Sequence, residues 1–353
     1  MKNKCVLPFI GLDYQNNSPC CLLQNKDGTK WDNSKSDIRD LMADHKVGIK
    51  SSFCNKCWKA EDIGVTSQRQ RYNQLYQKHL TQTDRRVKAL VIPVGNVCNL
   101  YCVTCSPGGS TSWIKKQMSF ASGQGFWPAA DEVITEINPR DIENIKEAEH
   151  IEFIGGETLK SFSLWTHLSK MQRSTSFSLQ TNGTVELNGK QIELLRSFDN
   201  FNICFSLDGY GKIFEYMRQP AKWDQVQNNI KNYIRYFGKD KLSILVTVSN
   251  LNIFYIDSIV YELFKLLPSS IDLNMVENPS ELSYKNLPRQ VGENVEKRNP
   301  GFFKGRSINW EGTIESMDKL ENNLRDQDKF SGLSKDEFLP ELFACIKVST
   351  LKK

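Results

Sequence analysis

Apolar and polar positions follow two different periods along this chain. From about residue 87, short runs rich in β-branched and aromatic residues recur at 89–94, 150–154, 176–180, 202–207, 243–248 and 272–276, which is the composition of strands. Between them, apolar residues return three and four apart at 161–171, 189–197, 223–237 and 255–266, the signature of one helix face. Strands alternating with helices predict βα units and a parallel sheet, and six strands predict a partial (β/α)6 TIM-like barrel. Ahead of it, 36–46 has helical spacing through Ile38, Leu41 and Met42, with Ser36-Asp37 able to cap it. The stretch 6–23 fits a β-hairpin with Asn16-Asn17-Ser18-Pro19 as its turn. Beyond residue 280 the chain is charged and punctuated by proline, and apolar spacing returns at 314–324 and 338–346. The organisation read from this pattern is a leader (1–80), a barrel (81–280) and a helical tail (281–353) that covers the barrel mouth or lower face.

Composition narrows the class. A chain of 353 residues suggests two domains on a prior of about 150 residues each. Lys plus Arg number 46 and Asp plus Glu 41, a net charge of +5, too mild an excess to require nucleic acid or an acidic partner. No run approaches the roughly 18 apolar residues of a membrane span, and Met1-Lys2-Asn3-Lys4-Cys5 leads into no signal-like core. The expectation is a soluble cytoplasmic protein with no membrane or nucleic-acid partner. In a reducing compartment ten cysteines gathered in tight sets favour metal or cluster binding over disulfides. The four histidines fall in ordinary surface or core contexts. No glycine-rich loop followed by Lys and Ser or Thr is present, which removes ordinary nucleotide hydrolysis.

The strongest chemical signal follows the first predicted barrel strand. Cys98-Asn99-Leu100-Tyr101-Cys102-Val103-Thr104-Cys105 puts three thiols on a short loop, where they can converge on one iron–sulfur core. Such a site leaves one iron without a cysteine, open to the amine and carboxylate of a small molecule. The bland alternatives are a zinc site completed by a distant residue, or thiols that merely pack. In a parallel barrel ligands gather at the C-terminal strand ends, and polar segments stand there repeatedly. After the second strand comes Gly155-Gly156-Glu157-Thr158, after the third Gln180-Thr181-Asn182-Gly183-Thr184, and after the fourth Ser206-Leu207-Asp208-Gly209. The fifth runs into Ser249-Asn250, where a capping role explains both residues equally well. Cys204, inside an apolar strand, reads as a small buried hydrophobe. Cys345 reads as buried between Phe343 and Ile346, or as serving a cluster.

The three-cysteine loop resembles that of the radical S-adenosylmethionine superfamily, with one departure: Thr104 stands where many members carry an aromatic residue. The Gly155-Gly156-Glu157 segment resembles the superfamily's GGE turn, which receives the methionine amine. The resemblance implies an open (β/α)6 barrel and a 4Fe–4S cluster on Cys98, Cys102 and Cys105. It also implies S-adenosyl-L-methionine as cofactor, bound by Gly155, Gly156, Glu157, Asn182, Ser206, Asp208, Arg218, Ser249 and Asn250. Arg218 would fork onto the methionine carboxylate, or is simply a surface arginine before a proline turn.

The leader carries a second set: Cys5, Cys20-Cys21 and Cys54-Asn55-Lys56-Cys57-Trp58. The run from Phe53 to Asn73 resembles the twitch half-cluster domain, related to SPASM, which in many relatives follows the barrel. That resemblance implies an auxiliary 4Fe–4S cluster on Cys5, one of Cys20 and Cys21, Cys54 and Cys57. A structural zinc site or a redox dithiol at Cys54/Cys57 fits the spacing too. As a whole the resemblance implies an enzyme that cleaves S-adenosylmethionine to a 5'-deoxyadenosyl radical and takes a substrate hydrogen. It implies modification of a peptide or protein side chain, with an electron donor such as flavodoxin or ferredoxin. A sugar or nucleoside substrate is the alternative, and a zinc-bound scaffold or nucleic-acid-binding protein is the rival from another class.

Overall fold

The computed structural model describes residues 3–119, 134–137, 145, 147–277 and 279–350. Seven parallel strands lie in sequence order in one sheet: β1 (Gly11–Asp13), β2 (Ala89–Pro93), β3 (His150–Ile154), β4 (Ser176–Thr181), β5 (Phe201–Ser206), β6 (Leu242–Val248) and β7 (Ile271–Met275). Neighbouring strands that are consecutive and all parallel, joined by helices, make a partial barrel of the α/β class. Six of these strands match the sequence pattern to within two residues at each end. The seventh, β1, comes from the leader and pairs Gly11, Leu12 and Asp13 with Ala89, Leu90 and Val91.

Side-chain alternation explains both faces of the sheet. Along β3, β4 and β5 every second residue is buried, and Ile151, Phe153, Phe177, Leu179, Ile203 and Phe205 pack into the main core. The intervening residues, among them Glu152, Ser178, Gln180, Asn202 and Cys204, face a cavity on the other side. The crossover helix Trp223–Phe237 buries Val226, Asn229, Ile230 and Tyr233, and Ile256–Leu266 buries Ile256, Ile259 and Leu263, the spacing expected of a helix covering a sheet.

The leader does not form the expected hairpin. Pro8 opens a short helix, Leu7–Ile10, and the Asp13 carboxylate accepts the backbone N–H of Gln15 at 2.9 Å, so the chain turns locally. Of the expected ladder, one antiparallel bridge joins Asp13 to Ser18. Helix Ile38–Val47 starts from Asp37, whose side chain accepts from the Arg39 N–H. Helices Asn55–Asp62 and Gln68–Leu75 follow, the second opened by a reciprocal Ser67/Gln70 cap. The leader is tied across the strand ends by Arg71–Asp272 at 3.3 Å, Lys59–Glu277 at 3.9 Å and a Tyr72 hydroxyl that donates to Glu152.

The tail is helical, with Ile314–Ser331 and Pro340–Thr350 as its longest pieces. It reaches the cysteine loop, where the Phe330 ring meets Tyr101 edge-on at 5.3 Å. Cys345 is partly buried and its sulfur accepts from Asn294 Nδ2 at 3.2 Å. Among the described residues no helix is long and apolar enough to cross a membrane.

Candidate functional site

The three-cysteine loop leaves the C-terminal end of β2 and is fixed from three directions. Leu100 and Val103 plug the core, and the N–H groups of Tyr101 and Val103 donate to the Gln219 and Met217 carbonyls at 2.7 and 2.8 Å. From helix Thr111–Ser119 and its entry, Ser112 Oγ donates to the Cys98 carbonyl at 2.8 Å, Ser110 Oγ to that of Leu100 at 2.6 Å, and Trp113 Nε1 to that of Cys102 at 2.7 Å. Three carbonyls of the loop, those of Cys98, Leu100 and Cys102, are thus held by side chains of the following helix and its entry, which fixes the loop through its backbone.

The three thiols act on one another. Burial pushes all three up from the ordinary cysteine value, Cys105 to about 11, and each of Cys102 and Cys105 is raised further by the charge of neighbouring thiols in the set. Empty of metal, they stay protonated at neutral pH; a soft metal centre would have to displace those protons.

The diglycine turn after β3 lies directly against this loop. Gly156 N–H donates to the Gly95 carbonyl at 3.0 Å and Glu157 N–H to that of Val97 at 2.8 Å. A Cβ on Gly155 would stand 2.6 Å from the Gly95 oxygen, and one on Gly156 2.6 Å from that of Asn96. The glycines are therefore required by backbone packing against the strand that feeds Cys98. Glu157 is buried, and its carboxylate is taken by protein donors: Asn182 N–H at 2.6 Å, Thr181 Oγ1 at 2.8 Å and Leu159 N–H at 3.2 Å. Burial pushes this carboxyl up while those three bonds pull it down.

The remaining sequence candidates divide. Asn182 comes to the cysteine loop, its Nδ2 3.9 Å from Cys98 Sγ and 3.2 Å from Asn99 Oδ1. Ser206 ends β5 half-buried. Arg218 meets Asp208 in a buried ion pair, Nε to Oδ2 at 2.9 Å. Burial works against the guanidinium, yet Asp208 and Cys102 hold its pKa above the ordinary arginine value. Ser249 and Asn250 are fully buried. Ser249 bonds to Asn252 through its backbone N–H at 2.7 Å within the loop that follows β6, and Asn250 Nδ2 donates to the Glu281 carbonyl at 2.8 Å, beyond β7.

The leader thiols gather elsewhere. Cys5, Cys20, Cys54 and Cys57 line one small cavity together with Leu7, Leu23 and Arg69. Cys21 does not line this cavity but stays beside Cys20; it is exposed, and Gln68 Nε2 donates to its sulfur at 3.5 Å. Burial raises Cys5, Cys54 and Cys57, Cys5 to about 12, and Cys20 is raised first by the adjacent Cys21 thiol and then by burial. His45 lies against this set: its Nε2 is 3.5 Å from Cys54 Sγ and its Nδ1 3.2 Å from the Cys5 N–H nitrogen. Leu41 and His45, four apart, share the buried side of their helix, a stripe visible in the sequence that would have placed the ring inward. Among the described residues no three His, Cys, Asp or Glu side chains converge closely enough to hold a single metal ion. In donor chemistry, a trio and a quartet of thiols fit iron–sulfur clusters.

Between the leader and the sheet lies a cavity of about 560 Å³, a size that holds a small organic ligand or a side chain. Thr104 from the cysteine loop lines it, as do Cys21 and Cys57 from the leader. Ser178, Gln180, Asn202, Ser243, Thr247 and Asn274 give it a neutral polar wall, and Lys56, Lys59, Arg71, Glu152 and Glu277 add charge. Cys204 belongs to this wall and is half-buried. It does not pack as a core hydrophobe, because its neighbours Ile203 and Phe205 take the core face. Cys57 and Leu22 line both this cavity and the four-thiol one, so the two spaces share a wall.

No family model matches the chain, and none of the curated proteins does. Among solved structures it is similar to anSMEcpe with bound AdoMet and Cp18Cys peptide, at 20% identity over 69% of this chain with a TM-score of 0.40. It is similar also to Streptococcus suis SuiB bound to precursor peptide SuiA, at 13% over 83% with a TM-score of 0.39. A third is TYW1 with a lysine-pyruvate adduct bound, at 12% over 69% with a TM-score of 0.37. The matched part spans 61%, 60% and 78% of those chains.

Proposed function

We propose that this chain is a radical S-adenosylmethionine enzyme acting on a peptide or protein side chain. The observation that carries the reading is the juxtaposition at the strand ends. Three thiols that influence one another stand on a loop stitched to the diglycine turn by the Gly156 and Glu157 N–H bonds, beside the cavity that Thr104 lines. When bound, a 4Fe–4S cluster with S-adenosylmethionine supplies reductive cleavage to a 5'-deoxyadenosyl radical, which removes a substrate hydrogen. Cys98, Cys102 and Cys105 would hold that cluster. Asn182, whose Nδ2 lies 3.9 Å from Cys98 Sγ, and Ser206 would flank the bound cofactor, and the carbonyls of the 155–156 turn would receive its amine. Glu157 shapes that turn through its own hydrogen bonds. Asp208 and Arg218 together keep a neutral, ordered floor behind the sulfurs, a positioning role in place of a direct grip on a carboxylate.

The leader would act as the twitch-like domain. Cys5, Cys20, Cys54 and Cys57 would hold the auxiliary cluster, and Cys21 would look into the substrate cavity. Because Cys57 lines both spaces, that cluster would sit in the cavity wall, close enough to receive an electron from a substrate radical or to touch substrate. A flavodoxin or ferredoxin would supply the electron that starts turnover.

A second reading within the same class has its own support: the six neutral hydroxyl and amide side chains on the wall suit a small polyhydroxylated substrate, such as a sugar or nucleoside, as well as a peptide amide. Anaerobically purified protein should be brown, with about eight irons and matching sulfide per chain for two clusters. A colourless protein with stoichiometric zinc would end the proposal. The substrate class is tested by turnover with candidate peptides and with nucleosides or sugars, followed by mass spectrometry of both the substrate and 5'-deoxyadenosine.

A further inference from the structure

A lysine is buried directly behind the three-cysteine loop. Lys116, on helix Thr111–Ser119, has no exposed surface. Its ammonium lies 4.5 Å from the centre of the Trp113 ring, 4.7 Å from that of Tyr101 and 5.4 Å from that of Phe330. Tyr101 belongs to the cysteine loop, and Trp113, on the same helix as Lys116, holds the carbonyl of Cys102 through its Nε1, so one wall of this aromatic cage is part of the loop and a second is bonded to it. The third comes from the tail helix Ile314–Ser331. Ring faces attract a cation. Burial pulls the ammonium down to about 7, while the charge of Cys102, and less strongly that of Asp328, pulls it back up.

Two other charged groups stand near this site. Arg218 acts on the same thiols but is tied to Asp208 at 2.9 Å. Asp328 is held by the Tyr216 hydroxyl at 2.9 Å and the Lys335 N–H at 3.0 Å, with the Lys335 charge also acting on it. Three thiolates on an oxidised cluster core leave a net negative charge, and reduction adds another electron in a dry setting. A cation buried against Tyr101 of that loop lowers the cost of adding it.

We infer that Lys116 is the built-in counter-charge of the three-cysteine site, a positioning residue that makes a cluster there easier to reduce. This rests on the cluster reading above. The test is an anaerobic redox titration of the full chain followed by electron paramagnetic resonance, comparing wild type with Lys116→Met and Lys116→Arg. Met keeps an unbranched apolar stem between the rings without the charge. At a fixed potential, Lys116→Met should retain iron and sulfide while its ratio of reduced to oxidised cluster falls at least tenfold, equivalent to 59 mV for a one-electron couple. Lys116→Arg should stay within about threefold of wild type. A Lys116→Met ratio within twofold of wild type, or an equal fall in Lys116→Arg, overturns the inference, since packing and not charge would then be at stake. Should Lys116→Met fail to fold, Lys116→Gln decides: the neutral amide must lower the ratio at least tenfold, and a ratio within twofold of wild type overturns the inference. Wild-type protein lacking iron and sulfide would instead fail the cluster reading itself, before any variant is compared.

Discussion

Substituting Asp208→Asn isolates the buried charge pair at the base of the site. Asp208 is fully buried, its Oδ2 2.9 Å from Arg218 Nε and its Oδ1 accepting the Thr247 N–H at 2.8 Å. Asparagine keeps the volume and an acceptor for Thr247 but removes the charge, leaving a buried guanidinium beside Cys102 and Cys105 with no counter-ion from Asp208. Loss of one neutral hydrogen bond would cost about 1 kcal/mol. Stranding one member of a buried ion pair costs about 3–5 kcal/mol, so the charge effect dominates. At about 2 °C per kcal/mol, the low end for large domains, Tm should fall by about 6–10 °C. Thermal unfolding followed by circular dichroism under anaerobic conditions, with metal loading matched between variants, reads this directly. The double variant Asp208→Asn/Arg218→Met should recover most of the loss, because replacing both charges removes the desolvation penalty along with the attraction. A fall below 2 °C, or a double variant as unstable as the summed single ones, would refute the reasoning.

Three further outcomes are expected. Gly156→Ala drives a Cβ to 2.6 Å from the Asn96 oxygen and 2.7 Å from that of Val97, both backbone atoms. It should cost about 1–3 kcal/mol and lower iron bound at the three-cysteine loop, whereas Gly189→Ala, with nothing within 4 Å, should do neither; iron analysis and denaturant melts compare them. Cys20→Ala should lose about four irons per chain and Cys21→Ala none, as colorimetric iron assay can tell; equal losses would reverse the assignment. His150, bonded to Ser176 and Ser178 at 2.9 and 3.1 Å, is depressed by burial to about 4. Its native form is therefore neutral while the unfolded ring protonates near 6.5, so its contribution is complete above about pH 6.5 and is lost as pH falls toward 4. Between pH 7 and 5 wild type should lose about 2 kcal/mol more than His150→Gln in urea unfolding; an equal loss in both would remove His150 from the account.

What could be read in advance follows from period and spacing. Strands β3 to β5 were legible because each alternates, with one face apolar against helices and one face polar toward the cavity. The same alternation, applied to Ile203-Cys204-Phe205, puts Cys204 on the cavity side, but a uniformly apolar flank hid it. Strand β1 was not legible: three residues carry no period, and its hydrogen bonds come from β2, far along the chain. The cysteine loop and the diglycine turn were visible as motifs, whereas the contact between them depends on backbone carbonyls that no side chain announces. The pairing of Arg218 with Asp208 was hidden for a similar reason. The two meet across the helix Gly211–Met217 that separates them in the chain, a contact that spacing does not announce. The choice between Cys20 and Cys21 rests on the direction of two adjacent side chains, which the folded leader sets and spacing does not.

The central claim is that Cys98, Cys102 and Cys105 hold a cluster that cleaves S-adenosylmethionine. The most direct measurement is the 5'-deoxyadenosine formed by anaerobic, chemically reduced protein incubated with S-adenosylmethionine, beside Cys98→Ala, Cys102→Ala and Cys105→Ala. The account predicts 5'-deoxyadenosine from wild type and none above background from any of the three. Iron-loaded wild type that forms no 5'-deoxyadenosine, or a cysteine variant that still forms it at the wild-type rate, would contradict it.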